Sequence, residues 1–202
     1  MGLLNESSPP PLRRLVIRPG SPTRLFTDWL LPPGRELQIR ELDVHWCERE
    51  LAPVLGDLLR STGPHLESLF LELSRLVGEE ILSPASHVDL SANPNLRRVL
   101  LGGTVLPGCS SWVCALVAQL ASKQLETIDI VLLASCLKDL HTFDWPLLNR
   151  ALAHPRFKGV QVKFDISLAM GQGRNTQELA HDIIYEALPE FRSRGKLLVR
   201  CQ

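Results

Sequence analysis

A short pattern of apolar positions recurs six times along the chain: apolar, two variable residues, apolar, one variable residue, apolar. Its copies are Leu12/Leu15/Ile17, Ile39/Leu42/Val44, Leu66/Leu69/Leu71, Leu96/Val99/Leu101, Leu125/Ile128/Ile130 and Phe157/Val160/Val162. The copies begin at intervals of 27 to 32 residues. Because the last two apolar positions are two residues apart, each copy predicts a short β-strand with one buried face.

One such strand cannot bury its apolar face alone, whereas stacked copies form a parallel sheet with a continuous core. Leucine-rich repeats have a period of roughly 20–29 residues, and leucine makes up 39 of the 202 residues here. The pattern therefore predicts an α/β fold, a leucine-rich-repeat-like solenoid. We expect about six to seven short parallel strands, with helices or loops on the convex side.

Between the strands, apolar residues follow the 3.6-residue helical period. The expected helices cover residues 48–62, 111–121, 144–153 and 176–188, and a last strand is expected over 197–200. The fourth helix is predicted to bury six apolar residues: Leu179, Ala180, Ile183, Ile184, Ala187 and Leu188. Asn175 and Glu178 have the spacing of a capping box at its start.

The whole chain, residues 1–202, is predicted to be a single repeat domain, with residues 1–11 as a disordered lead-in. Its first copy of the pattern follows a Pro-rich stretch that has no amphipathic cap. Terminal repeats need a polar cap, because an open core edge exposes apolar surface. This suggests that the chain lacks an upstream cap or domain, or that it is a truncated gene product.

Composition narrows the possible partners. Lys+Arg and Asp+Glu both number 22, so the formal net charge is zero. A protein that mainly grips nucleic acid or an anionic membrane is expected to be basic, so neither partner is predicted. No apolar run approaches the ~20 residues that span a bilayer. The 5 cysteines are scattered and include no CxxC, which predicts reduced thiols in a cytoplasmic or nuclear protein.

Several short motifs contain residues that could carry chemistry, but each lacks a required element. They are Gly171-Gln172-Gly173, His45-Trp46-Cys47, Ser86-His87-Val88-Asp89, His181-Asp182, and Cys109 and Cys114 with His87 or His141. The glycine pair lacks the third glycine of a dinucleotide fingerprint. The cysteines lack the close spacing of zinc ligands, and the serine is not in a nucleophile elbow. We therefore assign no catalytic, cofactor or metal residue and predict no enzyme activity.

Four segments carry a family resemblance: residues 89–99, residues 143–157, His45-Trp46 and residues 61–69. Together they resemble the repeat region of mushroom-type (basidiomycete) fungal F-box proteins, over about residues 35–200. In that family an F-box docks on the Skp adaptor of a cullin ubiquitin ligase, and the repeats hold a substrate. The resemblance thus implies substrate recognition in a ubiquitin ligase. No F-box is visible here, so a Skp-type adaptor is expected only if an F-box lies upstream.

The variable strand positions should line the concave face, which repeat solenoids use to bind partners. The candidate partner-binding residues are Arg18, Asp43, His45, Phe70, Glu72, Leu100, Asp129, Val131, Gln161 and Lys163. Mixed charge with apolar residues suits a protein or peptide, so the predicted function is a non-catalytic protein-interaction module. Two alternatives stay open. One is a small α/β hydrolase or nucleotide-binding enzyme, and the other is a non-functional truncated product.

Overall fold

Seven parallel strands form one sheet, in which each strand lies beside the strand that follows it in sequence. The computed structural model describes residues 12–18, 37–45, 51–72, 88–107, 110–169 and 175–201. The strands are β1 (Arg14–Ile17), β2 (Glu41–His45), β3 (Ser68–Glu72), β4 (Arg98–Leu106), β5 (Thr127–Ala134), β6 (Gln161–Leu168) and β7 (Lys196–Cys201). Since β1 and β7 are the two ends of this order, the sheet is not a closed barrel.

Within the described residues, helical segments lie between successive strands from β2 onward. The α-helices are α1 (Leu51–Thr62), α2 (Ser111–Gln119), α3 (Trp145–Leu152), α4 (Thr176–Ala187) and α5 (Pro189–Arg192). Short 3₁₀ turns are found at Gly63–His65, Leu90–Ala92, Leu137–Thr142 and Pro155–Phe157. The fold is therefore α/β, with parallel strands joined by helices and turns.

The apolar pattern is aligned across the whole sheet. One core row is Leu15, Leu42, Leu69, Val99, Ile128, Val162 and Leu197, and the next is Ile17, Val44, Leu71, Leu101, Ile130, Phe164 and Val199. All fourteen side chains are buried, and they share one continuous core with the inner residues of the helices. This confirms the predicted strands and the face that they bury.

The structure corrects two positions of the pattern. The first apolar position of each copy is predicted to turn inward from the approach to its strand. Leu12 is instead 46% exposed, because it precedes the edge strand and has no described strand on its outer side. In the sixth copy, Val162 rather than Val160 pairs with Ile128. Residues 160, 162 and 164 are all buried, so the pattern alone fits two registers that differ by two residues.

The expected helices are present, with small differences at their ends. Asp144 caps the start of α3, since its side chain accepts a hydrogen bond from the Leu147 N–H at 3.1 Å. Two expectations for α4 are wrong. Leu179 is 51% exposed because it lies outside the stripe through Ala180 and Ile184. The Asn175 side chain makes no capping hydrogen bond, so the predicted capping box is not formed.

Strand β4 contains a β-bulge at the centre of the sheet. Leu101 pairs with Ile130 and Thr104 with Leu132, so two glycines of β4 lie opposite one residue of β5. Gly103 has a φ of 81°, in the left-handed region that favours glycine. The bulge lets β4 continue along β5 after the register shift.

Several expectations fall outside the described residues. They are the lead-in over residues 1–11, the start of the first helix over residues 48–50, and the motif residues Gly171, Gln172, Gly173, Trp46, Cys47, Ser86, His87 and Cys109. Within the part that the structure describes, no helix combines the length and apolar character needed to cross a bilayer.

Candidate functional site

The face of the sheet opposite the core carries three rows of side chains, which we call the open face. The strand-start row is Arg14, Glu41, Ser68, Arg98, Thr127, Gln161 and Lys196; the middle row is Val16, Asp43, Phe70, Leu100, Asp129, Lys163 and Leu198. The strand-end row is His45, Glu72, Gly102, Val131, Asp165 and Arg200. Apart from Gly102, which is buried, the residues of these rows are half-buried or exposed, whereas the residues that alternate with them are buried.

The structure brings nine of the ten predicted site residues onto this face: Asp43, His45, Phe70, Glu72, Leu100, Asp129, Val131, Gln161 and Lys163. The tenth residue, Arg18, directly follows β1 and is exposed. The residues therefore form one surface, and their role in binding stays a prediction.

Phe70 and Leu100 form the apolar centre of the open face. They are neighbours in the middle row, on β3 and β4, and both are half-buried. Asp43 lies beside Phe70 on β2, and Asp129 lies beside Leu100 on β5. An apolar pair in the middle of the sheet is thus bordered by one carboxylate on each side.

Each of these carboxylates has a basic partner on the next strand outward. Arg14 Nη2 lies 2.5 Å from Asp43 Oδ2, and this hydrogen bond raises the pKa of the Arg14 guanidinium. Lys163 Nζ lies 3.2 Å from Asp129 Oδ1, with the two side chains only 27% and 21% exposed. Cross-strand pairs of opposite charge hold these side chains in place on a sheet surface.

His45 fixes the orientation of Phe70 from the neighbouring strand. The two rings pack with centroids 4.5 Å apart and planes inclined by 35°. His45 Nδ1 is in turn 3.2 Å from Glu72 Oε2. The Phe70 ring therefore packs against an imidazole that is itself hydrogen-bonded to the Glu72 carboxylate. Such support lowers the entropy lost when a partner covers the ring.

Strand β6 is shifted by two residues from the register that the apolar pattern predicts, and this shift changes which side chains are neighbours. The pattern placed Lys163 beside Val131, but the structure places Lys163 beside Asp129 and Asp165 beside Val131. A shift of two residues keeps every side chain on its face, so Gln161 and Lys163 remain on the open face. Asp165 was missed for this reason.

Other residues of the open face were missed although the sequence offered a signal for them. The predicted strand over residues 197–200 already implied that Leu198 and Arg200 point to the open face. Arg14 and Glu41 each precede the second apolar position of their copies by one residue. Because that apolar residue points to the core, period-2 alternation places Arg14 and Glu41 on the open face. Only the bulge at Gly103 left no trace in the apolar pattern.

Cys114 and His181, two described residues of the weak chemical motifs, pack against neighbouring groups of the fold. Cys114 is buried, and its thiol lies 3.5 Å from the Asp144 carbonyl. His181 stacks on Tyr185 with ring centroids 3.8 Å apart, and its Nδ1 is 3.6 Å from Asp182 Oδ1. Among the residues that the structure describes, no three His, Cys, Asp or Glu side chains are grouped to hold a metal ion.

Comparison of the chain with protein-family models, with curated proteins and with solved structures finds no match in any of the three.

Proposed function

We propose that this chain is a leucine-rich-repeat-like solenoid that acts as a non-catalytic protein-interaction module, and that its open face binds a protein partner. The solenoid assignment is supported by the sequential order of the parallel strands and by their aligned core rows. In such an architecture each unit buries its apolar face against the neighbouring units. Asn93 fits this scheme, because its side chain bonds to the carbonyls of Leu59 and Gly63 in the preceding unit.

One observation carries the binding proposal: the middle row of the open face places a half-buried apolar pair between two ion pairs. Protein interfaces commonly combine an apolar centre with a polar rim, and a few central side chains supply most of the binding energy. Phe70 and Leu100 correspond to that centre. Arg14–Asp43 and Lys163–Asp129 correspond to the rim.

The charge of the open face favours a protein over a polyanion. In the middle and strand-end rows, four carboxylates stand against one lysine and one arginine: Asp43, Glu72, Asp129, Asp165, Lys163 and Arg200. A phosphate backbone would meet Asp43, Glu72 and Asp129 at close range, and like charges suppress such a partner. A polypeptide can present both signs of charge together with an apolar side chain for Phe70 and Leu100.

The narrower form of the proposal is substrate recognition in a ubiquitin ligase, in the cytoplasm or nucleus. It rests on the family resemblance of the repeat segments, and the 5 scattered cysteines without a CxxC are compatible with a reducing compartment. A Skp-type adaptor enters this form only if an F-box precedes the repeats.

Paired capture experiments test the binding proposal. The full chain is immobilised as wild type, as Phe70→Ala/Leu100→Ala and as the control Leu147→Ala/Leu179→Ala, which truncates exposed leucines on the helices. Proteins retained from the native cell extract are quantified and then purified for a direct measurement of Kd. We expect a protein that binds the wild type and the control alike and loses affinity for the open-face variant. Equal binding of a purified partner to all three chains would exclude the open face as its site.

A further inference from the structure

The edge of the sheet at which strands β4 to β7 begin is strongly basic, although the whole chain is neutral. Its cations, which we call the basic edge, are Arg97, Arg98, Lys123, Lys158, Arg194 and Lys196. Glu126 is the single acidic residue among residues 96–98, 121–127, 158–161 and 193–196, which lead into these four strands. The basic edge therefore has five more positive than negative charges.

Backbone hydrogen bonds hold these segments side by side. The Glu126 N–H donates to the Arg97 carbonyl at 2.8 Å, and the Gln161 N–H donates to the Glu126 carbonyl at 2.9 Å. The Gly159 N–H donates to the Arg194 carbonyl at 3.2 Å. Neighbouring strands are about 4.8 Å apart, so the four segments each bring one or two cations to the same edge. Arg98 and Lys196 share one register row, in which Thr127 and Gln161 lie between them.

Most of these cations have no anionic partner in the described part of the chain. Arg97 Nη1 lies 3.5 Å from Glu126 Oε1, whereas the structure gives no ion pair to Arg98, Lys123, Lys158 or Lys196. All six side chains are exposed. Exposed like charges that share one edge repel one another, and an anionic ligand relieves that repulsion.

We propose that the basic edge binds an acidic polypeptide segment, rich in Asp or Glu, that lies across the starts of β4 to β7. This is a second interface, distinct from the apolar centre of the open face, and the proposal does not depend on that centre. Long lysine and arginine side chains on successive strands can each reach a carboxylate of an extended chain. The attraction supplies charge complementarity, which governs specificity and association rate.

The surroundings favour an acidic polypeptide over nucleic acid. Glu126 lies in the middle of the basic edge, where it would repel a continuous phosphate backbone. Single-stranded nucleic acid is also held by aromatic platforms, and the four strand-start segments contain no aromatic side chain. A peptide can leave a gap in its charge opposite Glu126.

Fluorescence anisotropy on the full chain tests this proposal. The probes are labelled poly-L-glutamate and a single-stranded DNA of equal charge, each at low and at physiological ionic strength. The test variant is Lys123→Glu/Lys158→Glu. The matched control is Lys138→Glu/Arg150→Glu, which makes the same charge change at exposed positions after β5 and on α3.

We expect the wild type to bind poly-L-glutamate more tightly than the DNA, and the affinity to fall with added salt. The test variant should lose affinity by about tenfold or more, while the control and Phe70→Ala keep the wild-type value. The proposal is overturned by no binding to poly-L-glutamate, by tighter binding to the DNA, or by equal losses in the two double variants. None of these results bears on binding at Phe70, so the two proposals fail separately.

Discussion

Asn93 is a fully buried polar side chain that joins two successive units of the fold. Its Nδ2 donates to the Leu59 and Gly63 carbonyls, each at 2.9 Å, at the end of α1. An unpaired buried acceptor costs about 1–3 kcal/mol. The Asn93 Oδ1 is buried without a hydrogen-bond partner among the described residues, so its removal offsets part of this loss. We expect Asn93→Ala to lower the free energy of unfolding by about 2 kcal/mol in urea titrations.

A matched substitution two residues further along the chain, at Asn95, provides the control. Asn95 makes a single hydrogen bond of this kind, to the Pro64 carbonyl at 2.8 Å, and it lies at the surface. Water can replace that donor, so Asn95→Ala should cost about 1 kcal/mol or less. Equal losses in the two variants would show that the buried contacts of Asn93 contribute nothing extra.

Thr104 is expected to lower the stability of the fold, because its hydroxyl is buried without a hydrogen-bond partner among the described residues. The side chain is 2% exposed and pairs with Leu132 in a core row. Valine has nearly the same shape without the hydroxyl. Thr104→Val should therefore raise the free energy of unfolding by about 1 kcal/mol, as measured by thermal and urea denaturation. A loss of stability would mean that the hydroxyl is bonded after all.

Phe70 is the residue on which the binding proposal depends most. Because it is half-buried and packs on His45 at the surface, Phe70→Ala should leave the fold intact. Binding of the protein partner should weaken by about 1–2 kcal/mol, or roughly five- to thirtyfold in Kd. Isothermal titration gives the affinity, and circular dichroism checks the fold. Unfolding of the variant would show that Phe70 belongs to the core.

At the scale of single elements, the two adjacent glycines in the bulge of β4 differ in how well they should tolerate a side chain. A Cβ on Gly102 would lie 3.6 Å from Leu100 Cδ2, an ordinary contact, whereas Gly103 has a φ of 81°. Gly103→Ala should cost about 1–2 kcal/mol of stability through backbone strain, and Gly102→Ala distinctly less. Urea titrations of the two variants measure this difference. A Gly103→Ala protein as stable as wild type would contradict the observed backbone conformation.

The apolar pattern predicted the strands because the residues that a strand buries on one face of a sheet recur at every second position. It did not determine the register of β6, since Val160, Val162 and Phe164 all satisfy that period and all are buried. The candidate site was therefore placed on the correct face with some wrong neighbours. Lys163 pairs with Asp129 and not with Val131.

Helix contacts were harder to predict than strand faces. Leu179 continues the apolar stripe of α4 in the sequence, yet it is exposed while Ala180 and Ile184 are buried. The width of a buried stripe depends on how closely a helix packs on its neighbours, and the sequence of the helix does not contain that distance. The bulge at Gly103 depends in the same way on the partner strand.

At the scale of the whole molecule, the sheet separates two kinds of surface. One face holds a continuous core from Leu15 to Val199. The other face presents Phe70 and Leu100 between ion pairs, and the starts of β4 to β7 carry excess positive charge. A chain with zero net charge can thus offer an apolar site and a basic site at different places.

Site-specific photo-crosslinking in native cells tests the central claim, binding of a protein by the open face. A photoreactive amino acid replaces Leu100 at the centre of that face, or Leu179 on the exposed side of α4 as the control. We expect a discrete crosslinked protein from position 100 and none from position 179. Adding Phe70→Ala should abolish the crosslink at position 100. Crosslinks at position 179 alone, or no crosslink at position 100, would contradict the proposed function.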